Sequence, residues 1–112
     1  MTTDIPRSAL PDTGSLTVLG TGGEGSVYAL PTTAVPPQVV ALAGEHKLVY
    51  KEFRTPDSPE RARHHRAVVD VFRKFGSEQQ QWLRDRAAWP VATVVDGSAV
   101  VGVLMPVIPE MF

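Results

Sequence analysis

The sequence predicts an α+β domain: a five-stranded antiparallel sheet with one long helix, and room for a second short one, between the third and fourth strands. Three observations predict it. β-prone runs flank a glycine-rich turn at 20–25, a helical pattern opens at Ser58-Pro59, and two more β-branched runs flank Asp96-Gly97. At 112 residues, 43% of them hydrophobic, the chain has material for one core and no length for a second catalytic domain.

Residues 1–14 hold Pro6, Pro11 and Gly14 without hydrophobic periodicity and read as a flexible arm, so the domain is expected over 15–109. Leu16 to Leu19 and Ser26 to Leu30 form the first two strands around the glycine-rich tip. Pro31 to Lys47 contains Pro31, Pro36, Pro37 and Gly44 and is expected as a loop, with Val39 to Leu42 as a short strand or helical turn. The third strand is Leu48 to Phe53, where apolar and polar residues alternate.

Ser58-Pro59 supplies an N-cap and a first-turn proline, after which Val68, Val71, Phe72 and Phe75 recur at steps of three and four until Gly76. Ser77 to Gln80 has capping-box form and starts a short helix bearing Trp82 and Leu83, closed before Trp89-Pro90. Val91 to Val95 and Ala99 to Met105 are the last strands. Asp96-Gly97 between them suits a type I′ hairpin turn, and Pro106 and Pro109 end the pattern.

A net charge of -1 without a basic block speaks against nucleic-acid and membrane-surface partners. The absence of cysteine excludes disulfides, thiolate metal sites and thiol nucleophiles. With no signal-type h-region and no run of membrane-span length, a cytoplasmic location is expected. The adjacent His64 and His65 point to different sides of a helix and do not make the i, i+4 pair of a zinc site. Arg61, Arg63, Arg66 and Arg73 read as a solvated basic face. Trp82, Leu83 and Trp89 read as core, or as contacts whose exposure would favour self-association.

Gly20-Thr21-Gly22-Gly23-Glu24-Gly25-Ser26-Val27 fits G-x-G-x-x-G-x-V. A dinucleotide-binding turn needs a helix to start at this loop, whereas here a strand follows; a Walker loop needs Gly-Lys-Ser/Thr, which is missing. What remains is a strand-loop-strand flap whose glycines let backbone amides approach phosphates. Lys51 on the next strand is the matching cation. Taken singly, a glycine-rich hairpin tip or a strand lysine has a plain structural reading.

Together with the element order, these residues resemble the N-terminal lobe of eukaryotic-like serine/threonine protein kinases. Gly22-Gly23-Glu24-Gly25-Ser26-Val27-Tyr28, Ala88-Trp89-Pro90-Val91 and Gly102-Val103-Leu104-Met105-Pro106 are similar to a bacterial, chiefly actinobacterial, branch. The resemblance covers about residues 16 to 109. It implies that Gly20, Gly22, Gly23 and Gly25 cover the phosphates of ATP, that Lys51 holds them, and that Val27 and Val49 line the adenine pocket. Met105 would be the gatekeeper, with Pro106, Val107 and Ile108 as hinge and 110–112 leading towards a C-lobe.

The chain departs from that pattern in several places. Pro106 has no N–H for adenine, and the helix carboxylate that would pair with Lys51 is expected at Asp70, with Glu60 and Glu78 as alternatives. Glu24 puts a carboxylate at the flap tip, where it would repel phosphate unless turned to water. No catalytic-loop Asp or D-F-G Asp is present, and there is no asparagine at all. Catalysis is therefore expected only with a C-lobe, in the same or another chain, which would supply most of the Mg ligands. The competing expectations are a pseudokinase-like module that binds a protein substrate or regulator, and an unrelated small α+β domain.

Overall fold

The computed structural model describes residues 4–31, 33, 35–43, 47–86 and 89–107. The expectations that rest on Gly44, Ala88, Ile108, Pro109 and residues 110–112 lie outside them. The elements are β1 (Asp4–Pro6), β2 (Val18–Thr21), β3 (Gly25–Leu30), α1 (Pro37–Ala43), β4 (Leu48–Phe53), α2 (Pro59–Lys74), α3 (Ser77–Arg86), β5 (Ala92–Asp96) and β6 (Ala99–Pro106). Short 3₁₀ turns at Arg7–Ala9 and Thr13–Ser15 link β1 to β2.

The sheet has six strands in the order β1-β5-β6-β4-β3-β2. β2 to β6 pair antiparallel with their neighbours, as expected, but β1 adds a parallel strand at the β5 edge, so the sheet is mixed. This corrects both the five-stranded antiparallel sheet and the flexible arm. The physical reason is burial: Ile5 and Leu10 are each only 6% exposed, and burying an aliphatic side chain contributes roughly 1.5–3 kcal/mol. Pro6 is tolerated because it ends a strand at the sheet edge, where a missing N–H costs no ladder bond.

Cross-strand partners share a face, and the register therefore sets Asp4, Thr93, Val103, Lys51 and Val27 in one row on one face of the sheet. α2 crosses that face. Its Arg66 reaches the Asp4 carboxylate at 3.4 and 3.5 Å, the Thr93 hydroxyl donates to the same group, and the His65 ring stacks on Phe53 at 5.0 Å. The opposite face carries Tyr50, Leu104 and Ala92. Arg7 covers it, lying 5.3 Å from the centre of the Tyr50 ring and capping the Leu10 and Pro11 carbonyls.

Within the expected loop, α1 takes the helical alternative for Val39 to Leu42 and extends it to Pro37–Ala43, and Val39 and Ala43 enter the cluster around Leu30, Leu48 and Tyr50. α2 begins as its sequence indicates, with the Ser58 hydroxyl accepting from the Arg61 amide. Its buried stripe is Ala62, Val69 and Phe72, while Val71 is 42% exposed. The stripe is thus rotated from the expected one, with Ala62 and Val69 buried in place of Val71. The Trp89 indole donates to the Val68 carbonyl at 3.0 Å and ties the entry of β5 to α2.

The last hairpin closes on Gly97-Ser98 between paired Asp96 and Ala99. Only Gly97 has positive φ (63°), which is the sign pattern of a type II′ turn rather than the type I′ expected for Asp96-Gly97.

Candidate functional site

The flap is built by β2 and β3. Thr21 pairs with Ser26, the Gly22 amide donates to the Gly25 carbonyl at 2.9 Å, and the chain reverses over Gly22 to Gly25. The turn is anchored from beneath by Arg54 just past β4: its amide donates to the Glu24 carbonyl at 2.7 Å and its guanidinium to the Gly22 carbonyl at 3.3 Å. Sequence reasoning missed Arg54, because nothing local marks a residue that leaves a strand end to meet a distant turn.

Under the flap lies a cleft of about 250 Å³ lined by Gly20, Thr21, Gly22, Gly23, Glu24, Gly25, Val27 and Lys51. The structure thus brings together the four expected glycines, Val27 and Lys51. An enclosed pocket for a whole drug-sized ligand has about 300–1,000 Å³, so this cleft is smaller than such a site. A larger cavity of about 370 Å³, lined by Tyr28, Glu52, Phe53 and Arg54 among others, does not include Lys51.

The glycines divide into two kinds. Gly25 has φ 154°, and a Cβ there would lie 1.9 Å from the Glu52 carbonyl oxygen, so the fold itself demands glycine. At Gly20, Gly22 and Gly23 a Cβ would meet no atom within 4 Å, and none of the three has positive φ. Nothing in the folded chain requires those three to be glycine. The amides of Gly23 and Glu24 also have no protein acceptor among the described residues. Open space and unpaired donors at one tip are what an anion site needs.

Lys51 meets an anion supplied by the chain itself. Its Nζ lies 3.0 Å from Glu24 Oε2, with the lysine side chain 30% exposed and the glutamate 73%. The hydrogen bond and charge of Lys51 hold the Glu24 carboxyl below the usual carboxylate range, and Arg61 and His65 pull weakly in the same direction. The expected partner was Asp70. It makes no ion pair among the described residues, and neither Glu60 nor Glu78 replaces it. α2 instead carries Arg61 and His65 past the end of β4, where the His65 ring stacks on Phe53.

Those two residues are organised by Asp57, whose side chain is fully buried. Its Oδ2 lies 2.6 Å from His65 Nδ1, and its Oδ1 lies 3.6 Å from Arg61 Nε, an electrostatic contact too long for a hydrogen bond. The Asp57 amide donates to the Val100 carbonyl at 2.9 Å, fixing the loop before α2 to β6.

The residues expected around adenine are less well assembled. Val49 pairs with Met105 and shares the face of Lys51, but Val49 is 1% exposed and neither lines the cleft. The Val107 amide donates to the Lys47 carbonyl at 2.7 Å, so it already serves the sheet. No protein-family model matches the sequence, and no curated protein matches it. Among the described residues, no helix is long and apolar enough to cross a membrane.

Proposed function

We propose that this chain is the ATP-binding lobe of a serine/threonine protein-kinase-like protein, with phosphoryl transfer dependent on a C-lobe from the same or another chain. The observation that carries the reading is the projection of the Lys51 ammonium into the cleft beneath the glycine-rich flap. Support also comes from the antiparallel order β2-β3-β4-β6-β5 of five strands, with α2 on the lysine face. The phosphates would lie against the Gly23 and Glu24 amides and Lys51, with the base directed towards Val27. ATP would bring Mg²⁺, most of whose ligands a C-lobe would provide.

Equilibrium dialysis with Mg-ATP tests the reading. Wild type is expected to bind weakly and Lys51→Met roughly tenfold more weakly, as follows from losing one charge-assisted hydrogen bond. Equal binding by the two proteins, or none by wild type, defeats it.

The second reading is a pseudokinase-like module that docks to a protein regulator. It is favoured by the occupation of Lys51 by Glu24 and by the lack of a carboxylate from α2 at the lysine. Under this reading, Gly22→Ala and Lys51→Met leave partner binding intact.

A further inference from the structure

We propose that Glu24 is a built-in competitor for the phosphate position: its carboxylate holds the Lys51 ammonium and must swing out before an anionic ligand binds. This inference rests on the nucleotide reading of the cleft. It goes beyond that reading by assigning the flap its own regulatory contact.

Four features carry it. The two atoms that meet are the cation on which phosphate binding would depend and a carboxylate oxygen at the tip of the covering loop, 3.0 Å apart. An ionised carboxylate and a phosphate offer the same chemistry to an ammonium, an anionic oxygen acceptor, so the two cannot share that position. Next, the acid is the mobile partner: at 73% exposure its side chain faces water, whereas Lys51 comes from the middle of a paired strand.

The backbone of Glu24 is held independently of its side chain, through its carbonyl and the Arg54 amide, so the carboxylate can leave while the turn stays folded. Finally, Arg61 and His65 both favour the charged form of Glu24, while the nearby acid Asp57 is engaged with those same two residues. With Glu24 withdrawn, the cleft keeps Lys51, and among the described residues no other carboxylate pairs with it. The open space beside Gly20, Gly22 and Gly23 leaves room for the replacement.

The test is a double-mutant cycle on Mg-ATP binding, with wild type, Glu24→Gln, Lys51→Met and the double variant compared by equilibrium dialysis. Glu24→Gln is expected to bind roughly two- to fivefold more tightly than wild type, the scale of releasing a partly exposed ion pair. The gain should vanish on the Lys51→Met background. A second readout does not depend on affinity: saturating wild type with Mg-ATP should move the Glu24 side-chain carboxyl resonance to its position in Lys51→Met.

If wild type binds in a Lys51-dependent way and Glu24→Gln binds no tighter, the competitor fails and the nucleotide reading stands. A loss of Mg-dependent affinity in Glu24→Gln would instead make Glu24 a metal ligand and overturn the inference. If wild type does not bind Mg-ATP, both ideas fall together.

Discussion

The Nζ of Lys51 and Oε2 of Glu24 lie 3.0 Å apart although 27 positions separate them in sequence. Two strands carry the pair, β3 leading out of the flap and β4 bearing the lysine, with Val27 directly opposite Lys51 in the ladder. The flap therefore closes over the lysine as a consequence of register, and the ion pair reports that closure.

The pair has a pH signature. Because Lys51 lowers the folded-state value of Glu24, its stabilising contribution is present above the usual carboxylate range and is lost as pH falls through that lowered value. A carboxyl-detected NMR titration should place the Glu24 midpoint below that of a solvated glutamate. In Lys51→Met it should return to the ordinary range, and no change between the two proteins would disprove the contact.

The two kinds of glycine should separate in a stability assay. Gly25→Ala is expected to destabilise the fold by about 1–3 kcal/mol from backbone strain alone, with more from the collision at Glu52. Gly22→Ala and Gly23→Ala should stay within about 0.5 kcal/mol of wild type, since nothing occupies their side-chain space. Chemical denaturation distinguishes these outcomes. Equal losses at all three positions would contradict the division.

β1 is expected to contribute to the core. Ile5→Ala should cost about 2–5 kcal/mol by removing a buried aliphatic side chain, whereas an unattached arm would give no change. Asp4→Asn should cost less, because Asp4 meets Arg66 in a half-buried ion pair while its bond from Thr93 can be kept.

Asp70 and Asp57 should exchange the importance that sequence position gives them. Asp70→Asn is expected to leave stability and Mg-ATP binding unchanged, within about 0.5 kcal/mol. Asp57→Ala should destabilise by about 1–3 kcal/mol, since it removes the buried acceptor that meets His65 Nδ1. Thermal melts of the two variants give the comparison.

Much of the architecture is legible from local sequence. Ser58 and Pro59 announce α2 because capping is satisfied within one turn, and the runs of β2 to β6 show themselves by composition and turn residues. The flap and its lysine were likewise readable, since a glycine pattern beside a strand lysine implies a specific cross-strand approach. β1 was not legible: three residues ending in proline carry no period, and the strand exists only because β5, almost ninety positions later, offers an unpaired edge. α1 was half legible: Val39 to Leu42 allowed a strand or a helical turn, and the burial of Val39 and Ala43 goes with the helix.

By itself, then, the sequence determined the α+β class, the cap of α2, the flap and the lysine, because each depends on short-range sterics and hydrogen bonding. The tertiary structure alone decided that β1 joins the sheet, that α2 stacks His65 on Phe53, and that Lys51 takes Glu24 instead of Asp70. Charged partners are chosen by the rotation of a helix and the register of strands. Those are settled by the packing of apolar side chains such as Ala62, Val69 and Phe72, which no local pattern around the charges records.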